Sequence, residues 1–304
     1  MDLLKRKTLY FPIYKRIEEE VKELSFSVCF CDNQLSVFSL NIANLIIRCE
    51  VEIESVAKDI YRMQNDSEPA KTSDCFNWME KNWEISKKEL IIDAPNFYFD
   101  EMKCIKPFNY KKETEDDYYS AYNAIKHDRA KNISQKATIN VLIRALGALY
   151  ILNNYIMNET FQLGDDIHAS RLDRRFGSDI FMSKIAPCRD SVIFSSEEDI
   201  IPENCIYRIV RKDSLFAFSI LFKNTFGDTQ NTSLVMTNQS FQDFAKNYDG
   251  QLIDSKSFWD KISKITKMSV NHLKFHFMTS HKAKNILNIK AFKMKPSFYV
   301  ELNF

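Results

Sequence analysis

The 304-residue sequence has few of the residues that interrupt regular structure. It contains only 5 glycines and 7 prolines, whereas phenylalanine occurs 24 times and tyrosine 13 times. Glycine and proline supply the turns of loop-rich and low-complexity proteins, so their scarcity argues against long flexible connections. Since 45% of the residues are hydrophobic, the chain can bury a sizeable core. We therefore expect a folded protein with short linkers.

The sequence also lacks an excess of charge of either sign. Forty-two lysines and arginines stand against 41 acidic residues, which leaves a net charge of +1. Such a balance gives no general attraction for a polyanion, so contact with a nucleic acid must come from a local basic patch. No window approaches the roughly 18 to 20 apolar residues of a membrane span, and the N-terminal residues do not resemble a signal peptide. These absences predict a cytoplasmic protein without a membrane partner.

Several motifs of common enzymes and metal sites are missing. The seven cysteines do not form the two paired clusters that a zinc site usually shows. The sequence has no glycine-rich phosphate loop, serine elbow or Rossmann fingerprint. Three histidines, His272, His276 and His281, share a short window, but it alternates apolar and polar residues like a strand and holds no carboxylate. We therefore predict no bound metal or cofactor.

Hydrophobic periodicity divides the chain into a helical part and a β-rich part. Up to about residue 160, apolar residues recur at a spacing close to 3.6, most clearly after Ser39, which is suited to a helix N-cap. After Gly164, short β-branched and aromatic runs alternate with polar turns. The sequence predicts an α+β protein with three segments. These are an N-terminal helix and extension packed on the bundle (1–35), a four- to five-helix bundle (36–160) and a β-rich domain with one helix near 257–268 (165–304).

Capping signals predict the helix boundaries within the bundle. The proline of Asp93-Ala-Pro-Asn ends a second helix over residues 72–90, because proline disfavours helical geometry before it. Thr114 and the acidic residues after it start a third helix, since acidic side chains favour the positive end of a helix dipole. Ser134 opens a fourth helix that reaches about Asn158.

A polar cluster lies on the third predicted helix. Asn123, Lys126 and His127 stand at positions i, i+3 and i+4, so their side chains share one face. Tyr122 precedes them, and Arg129 follows two residues after the histidine. A histidine can give and take protons near neutral pH, and neighbouring cations stabilise a phosphate or the charge that develops on it. The cluster therefore indicates a candidate site for phosphate chemistry.

Charged residues also stack along the long helix that follows Ser39. Arg48 and Glu52 lie one turn apart, and so do Glu50, Glu54 and Lys58, so opposite charges stack along the helix. Two interpretations are open. The residues form solvated ion pairs on an exposed face, or they form a buried polar site.

The residues Tyr122-Asn-Ala-Ile-Lys-His-Asp-Arg129, followed by the apolar run Ala145–Leu152, resemble the HEPN superfamily. The Glu-x-Glu-x-x-x-Lys run from Glu52 to Lys58 in the preceding helix adds to the resemblance, which covers about residues 36–160. Members of this superfamily are helical bundles that commonly dimerise. Many are metal-independent ribonucleases of toxin, phage-defence and RNA-processing systems. The resemblance implies a homodimer, formed through the bundle, that cleaves or binds RNA in a bacterial defence or toxin system.

The resemblance also implies roles for individual residues. His127 matches the family's histidine and would act as general acid or base. Active members typically carry an arginine that is separated from that histidine by four to six residues, at positions where this chain has Ser120, Ala121 and Tyr122. The role of the arginine then falls to Arg129 or, across helices, to Arg48.

Two functional hypotheses follow from the cluster. In the first, His127 transfers protons on an RNA 2′-hydroxyl or leaving oxygen, Arg129 and Lys126 hold the phosphate, and Asn123 orients the reacting group. Arg48 and Tyr122 would then contact the substrate.

In the second hypothesis, Asn123, His127 and Arg129 hydrogen-bond to the preceding long helix and lock the bundle together. The expected partners there are Arg48, Glu50 and Glu52. The protein would then be a catalytically inactive dimerisation or interaction module. Under either hypothesis, the β-rich domain is expected to recognise a protein partner, a regulator or a bound nucleic acid.

Overall fold

The structure, a computed structural model, has an α+β architecture. It describes residues 3–110, 114, 117–164, 166, 168–188, 200–212, 216–223, 229–235, 239–248, 255–266, 285–293 and 297–304. The run at residues 191–194, one of the short runs from which strands are predicted, and the three histidines of the 272–281 window lie outside the described residues. The chain divides into two compact units, Met1–Val210 with Phe298–Phe304, and Arg211–Ser297.

Six helices of the first unit form the bundle. They are α1 (Leu3–Ser25), α2 (Leu40–Asn65), α3 (Thr72–Trp83), α4 (Tyr118–His127), α5 (Arg129–Lys136) and α6 (Ile139–Met157). The predicted start of the long helix is confirmed, because the Oγ atom of Ser39 caps α2 by accepting from the backbone N–H of Ile42 at 3.1 Å. The apolar α6 is buried along almost its whole length and packs against α1, α2 and α4.

The helix that carries the polar cluster differs from its prediction at both ends. It begins at Tyr118 rather than Thr114, because the Asp117 side chain caps α4 by accepting from the backbone N–H of Ser120. It also ends at His127, and the Asp128 side chain accepts from the backbone N–H of Lys131 at 3.2 Å. Asp128 therefore caps a new helix, so Arg129 opens α5 and does not share a helix with His127.

Three other boundaries also differ from the predictions. The second predicted helix ends at Trp83, since Glu84 adopts a left-handed backbone conformation with a φ of 49°. The fourth begins at Ile139 rather than near Ser134, because Thr138 provides its cap. The short helix expected at the N-terminus is a 23-residue helix, α1.

The expectation that no segment approaches the length of a membrane span is wrong for α6. Its 19 residues are long and apolar enough to cross a membrane by length and composition. However, 89% of its 18-residue apolar window is buried inside the structure. A central helix that is packed on all sides is apolar all round, which explains the composition.

Twelve strands complete the described structure. They are β1 (Phe30–Cys31), β2 (Leu90–Ile92), β3 (Phe97–Tyr98), β4 (Cys104–Ile105), β5 (Phe161–Gly164), β6 (Phe181–Ser183), β7 (Ile185–Ala186), β8 (Tyr207–Lys212), β9 (Phe216–Lys223), β10 (Thr229–Val235), β11 (Asn285–Lys293) and β12 (Ser297–Leu302). In the first unit, small sheets with the orders β4-β2-β6 and β5-β12-β8-β7 pack with the bundle. For example, the Tyr207 hydroxyl on β8 donates to Oδ1 of Asn154 on α6 at 2.9 Å. The compact units consequently divide at residue 210, not in the region 160–180 where the residue pattern changes.

The second unit is inserted between two neighbouring strands of the first, β8 and β12. Its central strand β9 pairs antiparallel with β10 and β11. Two helices, α7 (Gln239–Lys246) and α8 (Ser255–Thr266), share a core with Phe218 and Ile220 of β9. Helix α8 overlaps the helix predicted near residues 257–268, whereas α7 was not predicted.

Candidate functional site

A cleft with a volume of about 720 Å³ opens in the first unit, and we call it the Arg48–Arg129 cleft. It lies between the C-terminal half of α1, the N-terminal half of α2 and the start of α5. Its lining combines two cations, two carboxylates, two amides, a hydroxyl and an apolar surface. The residues are Glu20, Glu23, Leu24, Ser27, Asn41, Asn44, Leu45, Ile47, Arg48 and Arg129.

Local sequence explains how the two arginines reach the same cleft. On α2, Asn41, Asn44 and Arg48 recur at i, i+3 and i+7, so they share a face that lies away from the buried core face. The cap at Asp128 ends α4 and starts α5, which places Arg129 in the first turn of the new helix. Two arginines that are 81 positions apart in the sequence thus line the same cleft.

The two arginines differ in what they bind within the protein. Nη1 of Arg48 lies 2.5 Å from Oε2 of Glu20, and the other oxygen of Glu20 lies 3.2 Å from Nε of Arg16. Arg129 is exposed and forms no ion pair with the described residues. Glu23 is likewise exposed and unpaired among these residues. One cation and one carboxylate of the cleft are therefore open to a ligand.

The remaining polar residues of α4 make local contacts. Nδ2 of Asn123 donates to the backbone oxygen of Tyr119, one turn earlier, at 3.0 Å. Nζ of Lys126 donates to the hydroxyl of the buried Tyr122 at 3.1 Å, and this hydrogen bond raises the pKa of the lysine. Neither Asn123, Lys126 nor Tyr122 lines the Arg48–Arg129 cleft.

His127 is exposed at the C-terminal end of α4. Its imidazole forms no hydrogen bond with a residue that the structure describes. His127 does not line the cleft, although Arg129, two residues later, does. Solvent and a bound substrate can therefore reach the imidazole.

Glu50 and Glu52, the expected structural partners, are placed differently from each other. Glu50 is fully buried on α2, and neither of its carboxyl oxygens has a hydrogen-bond partner among the described residues. Burial raises its pKa well above the usual range, and the nearby Glu54 and Asp117 add to the effect. Glu52 is half-buried, and burial raises its pKa as well, although Arg48 opposes the shift.

The hydrogen-bond network of the structural hypothesis is not seen among the described residues. No hydrogen bond there joins Asn123, His127 or Arg129 to the long helix α2 at the expected partners. The reason is that Arg48 is directed to α1, where it pairs with Glu20. Sequence reasoning missed the contribution of α1 because the full length of this helix was not recognised. The signal that could have found the cleft is the repeated polar spacing on α2.

A buried carboxylate fixes α1 from the side opposite the cleft. Glu18 is fully buried and accepts hydrogen bonds from the Tyr14 hydroxyl at 2.6 Å and from Lys15 Nζ at 2.6 Å. It also accepts from the Ser178 hydroxyl and from the backbone N–H groups of Asp179, at 3.0 Å, and Ile180, at 3.2 Å. The helix that carries Glu20 and Glu23 is therefore attached to the segment that precedes β6.

A second buried charge lies by a smaller cavity of about 270 Å³. Lys88 is only 2% exposed, and its Nζ atom donates to the backbone oxygens of Cys205, at 3.2 Å, and Asn303, at 3.0 Å. Burial lowers the pKa of Lys88 to about 8. Both hydrogen bonds are made to backbone, so Lys88 fastens the last residues of the chain to the segment before β8.

No protein-family model, curated protein or solved structure matches the chain. Among the described residues, no group of three or more histidine, cysteine or acidic side chains is arranged to hold a metal ion. The resemblance to HEPN proteins therefore stays a prediction from three sequence features: the residues from Tyr122 to Arg129, the apolar run after them and the charged run of α2.

Proposed function

We propose that the helical bundle binds RNA at the Arg48–Arg129 cleft and cleaves it without a metal ion or cofactor. The observation that carries the proposal is the exposed Arg129, which forms no ion pair with the described residues and lines a cleft of nucleotide size. Pockets that hold small ligands have volumes of roughly 300 to 1,000 Å³. Arginine is the preferred residue for phosphate groups, because its planar guanidinium donates several parallel hydrogen bonds.

In this proposal His127 is the general base of the cleavage reaction. A strand whose phosphate lies on Arg129 passes the end of α4, where the imidazole is exposed. The histidine removes the proton of the 2′-hydroxyl, and that oxygen attacks the adjacent phosphorus to form a 2′,3′-cyclic phosphate. The bond from phosphorus to the 5′-oxygen breaks, and the 5′-oxygen takes its proton from solvent water, to which the imidazolium later loses its own. The guanidinium of Arg129 stabilises the negative charge that develops on the phosphate oxygens.

The biological setting comes from the resemblance alone. A HEPN-like ribonuclease is expected in a cytoplasmic bacterial defence or toxin system, as a homodimer formed through the bundle. The chain after the bundle is then expected to recognise a regulator, a protein partner or the bound RNA.

Binding and cleavage are tested with the full-length protein in EDTA. Binding to labelled single-stranded RNA is measured by fluorescence anisotropy, and cleavage of mixed single-stranded and transfer RNA by gel electrophoresis. Arg129→Ala is compared with Lys131→Ala, which removes an exposed cation of the same helix that does not line the cleft. We expect at least roughly ten-fold weaker binding in the first and little change in the second, since a hydrogen bond to a charged group contributes about 1.5 to 3 kcal/mol.

Cleavage is tested by His127→Ala beside His168→Ala, a second exposed histidine of the same unit. Loss of cleavage in the first variant alone, with RNA binding retained, supports the assignment. Equal cleavage by both variants would remove His127 from the mechanism. No RNA binding by the parent protein would refute the proposal.

The runner-up function is a catalytically inactive interaction module. It is favoured by apolar side chains on the surface of α2, where Leu40 is 60% exposed and Val51 is 50% exposed. Such residues are typical of surfaces that bind another protein when they are contiguous. A dimer in light scattering that dissociates in Val51→Lys, together with no binding or cleavage of RNA, would favour this function.

A further inference from the structure

The Arg48–Arg129 cleft is not a simple binding surface for a polyanion. Of its four charged residues, Arg48 and Glu20 are already engaged with each other at 2.5 Å. The charges that remain for a ligand are one cation, Arg129, and one anion, Glu23. A ligand that presents only acceptor groups, such as a phosphate backbone, would leave the carboxylate of Glu23 facing negative charge. The complementary ligand therefore combines an anionic group with hydrogen-bond donors.

Among the four RNA bases, the donors of guanine fit a carboxylate best. The N1–H and N2–H₂ groups of guanine are adjacent and parallel, so the two oxygens of one carboxylate can accept from both. Uracil presents a single N–H between two carbonyl oxygens. Adenine and cytosine each present an amino group beside an unprotonated ring nitrogen. These acceptor atoms would face the carboxylate and disfavour the other three bases.

The rest of the lining suits a flat base with an attached phosphate. Leu24, Leu45 and Ile47 provide apolar surface for the plane of the base. Asn41 and Asn44 provide amides that both donate and accept, which suits the sugar hydroxyls and the carbonyl of the base. Bases of single-stranded RNA are open to recognition on this Watson–Crick edge.

We propose that the Arg48–Arg129 cleft selects guanine in single-stranded RNA. Glu23 accepts from the N1–H and N2–H₂ groups of the base, and Arg129 binds the neighbouring phosphate. The inference rests on the RNA binding proposed above and adds the identity of the base. Glu20 is a positioning residue, because it holds the guanidinium of Arg48 and leaves Arg129 as the cation for the phosphate.

The test measures affinity of the full-length protein for short labelled adenosine strands that carry one central guanosine, inosine, uridine or adenosine. Inosine keeps the N1–H of guanosine but lacks the N2 amino group, so it removes one of the two donors. We expect the guanosine strand to bind at least about ten-fold more tightly than the adenosine and uridine strands, with inosine in between. Fluorescence anisotropy in EDTA separates binding from any metal-dependent activity.

The matched variants are Glu23→Ala and Glu19→Ala, which remove one exposed carboxylate each from the same helix. Glu19 does not line the cleft. Both variants should bind RNA slightly more tightly because a negative charge is lost, but only Glu23→Ala should lose the preference for guanosine over adenosine. Comparing the ratio of affinities, not the affinities themselves, removes the general effect of charge.

The outcomes separate this inference from the proposed function. A guanosine preference that disappears in Glu23→Ala and persists in Glu19→Ala supports the inference. If all four strands bind with equal affinity, and this affinity falls in Arg129→Ala, guanine selection is overturned and the proposed RNA binding stands. A preference that persists in Glu23→Ala would also overturn it. No binding to any strand would overturn both proposals.

Discussion

Replacing the buried Lys88 with methionine should change how the stability of the protein depends on pH. Burial lowers the pKa of Lys88 from 10.5 to about 8 in the folded protein. Between these two pH values the unfolded chain binds more protons than the folded chain, so the free energy of unfolding rises with pH. The whole shift corresponds to roughly 3 kcal/mol, of which roughly 1.4 kcal/mol is gained by about pH 9. Methionine does not titrate, so the free energy of unfolding of Lys88→Met should not show this rise with pH.

The substitution leaves no backbone acceptor without a donor. The oxygen of Asn303 also accepts from the Tyr155 hydroxyl at 3.0 Å, and the oxygen of Cys205 also accepts from Nδ2 of Asn303 at 3.1 Å. Since methionine has a similar length and no polar atom to bury, we expect Lys88→Met to fold. Burial raises the pKa of Cys205 to about 11, which lowers stability above about pH 9, and the positive charge of Lys88 opposes that shift in the parent. The quantity to compare is therefore the difference between parent and variant.

Urea denaturation followed by tryptophan fluorescence measures this difference. A Trp259→Phe background leaves Trp78 and Trp83 as reporters of the first unit. Lys87→Met serves as the control, because this neighbouring lysine is exposed and pairs with Glu84 at 2.5 Å. We expect the parent to gain roughly 1.4 kcal/mol over Lys88→Met between about pH 7 and about pH 9, and not over Lys87→Met. Parallel stability curves for parent and Lys88→Met would refute the reasoning.

Three further predictions concern other buried or capping carboxylates. Glu18→Gln should lower the free energy of unfolding by roughly 2 kcal/mol in the same urea assay, since an amide cannot accept all five hydrogen bonds that the Glu18 carboxylate accepts. The control Glu19→Gln, at an exposed position of the same helix, should lower it by at most about 0.5 kcal/mol. The raised pKa of Glu50 means that its carboxyl binds a proton more tightly in the folded chain than in the unfolded chain. As pH rises from about 4.5 towards neutrality, the free energy of unfolding of the parent should therefore fall relative to that of Glu50→Gln, by up to about 1.4 kcal/mol per pH unit. A constant difference from about pH 5 to pH 7 would contradict that sign. Asp128→Ala should destabilise α5 by about 1 kcal/mol, as measured by hydrogen exchange, because the helix loses its N-cap. It should also weaken the RNA binding that depends on Arg129. The control Asp128→Asn should retain the cap, since asparagine caps helices as well as aspartate does.

Features set by neighbouring residues could be predicted from the sequence. The start of α2 follows from Ser39 and the apolar period after it, and both signals lie within the helix that they define. The run of α8 was found in the same way from its apolar residues. The end of α4 was missed because Asp128 is acceptable inside a helix and also favoured as a cap. Which of the two it becomes depends on packing that no local pattern records.

Features that join distant segments could not be predicted. The pairing of Arg48 with Glu20 requires α1 to lie along α2, and nothing in either sequence segment specifies that contact. The division of the chain was likewise hidden, because Phe298–Phe304 returns to the first unit after the inserted second unit. A change from helical to strand periodicity marks a change of local structure, and here the strands after the bundle continue the same compact unit.

The placement of Glu18, Glu20 and Glu23 on α1 allows stability and binding to be separated. Glu18 lies on the buried side of the helix, where it holds the segment at Asp179 and Ile180, whereas Glu20 and Glu23 line the Arg48–Arg129 cleft. The register of α1 on the bundle is also fixed by its apolar side chains, such as Ile17 and Val21, which are buried in the core. Loss of the Glu18 hydrogen bonds should therefore lower stability while α1, α2 and α5 still enclose the cleft. If the cleft selects guanine, the preference for guanosine over adenosine should survive in Glu18→Gln at temperatures where the variant is folded. Loss of this preference would mean that the Glu18 carboxylate positions α1 as well as stabilising it.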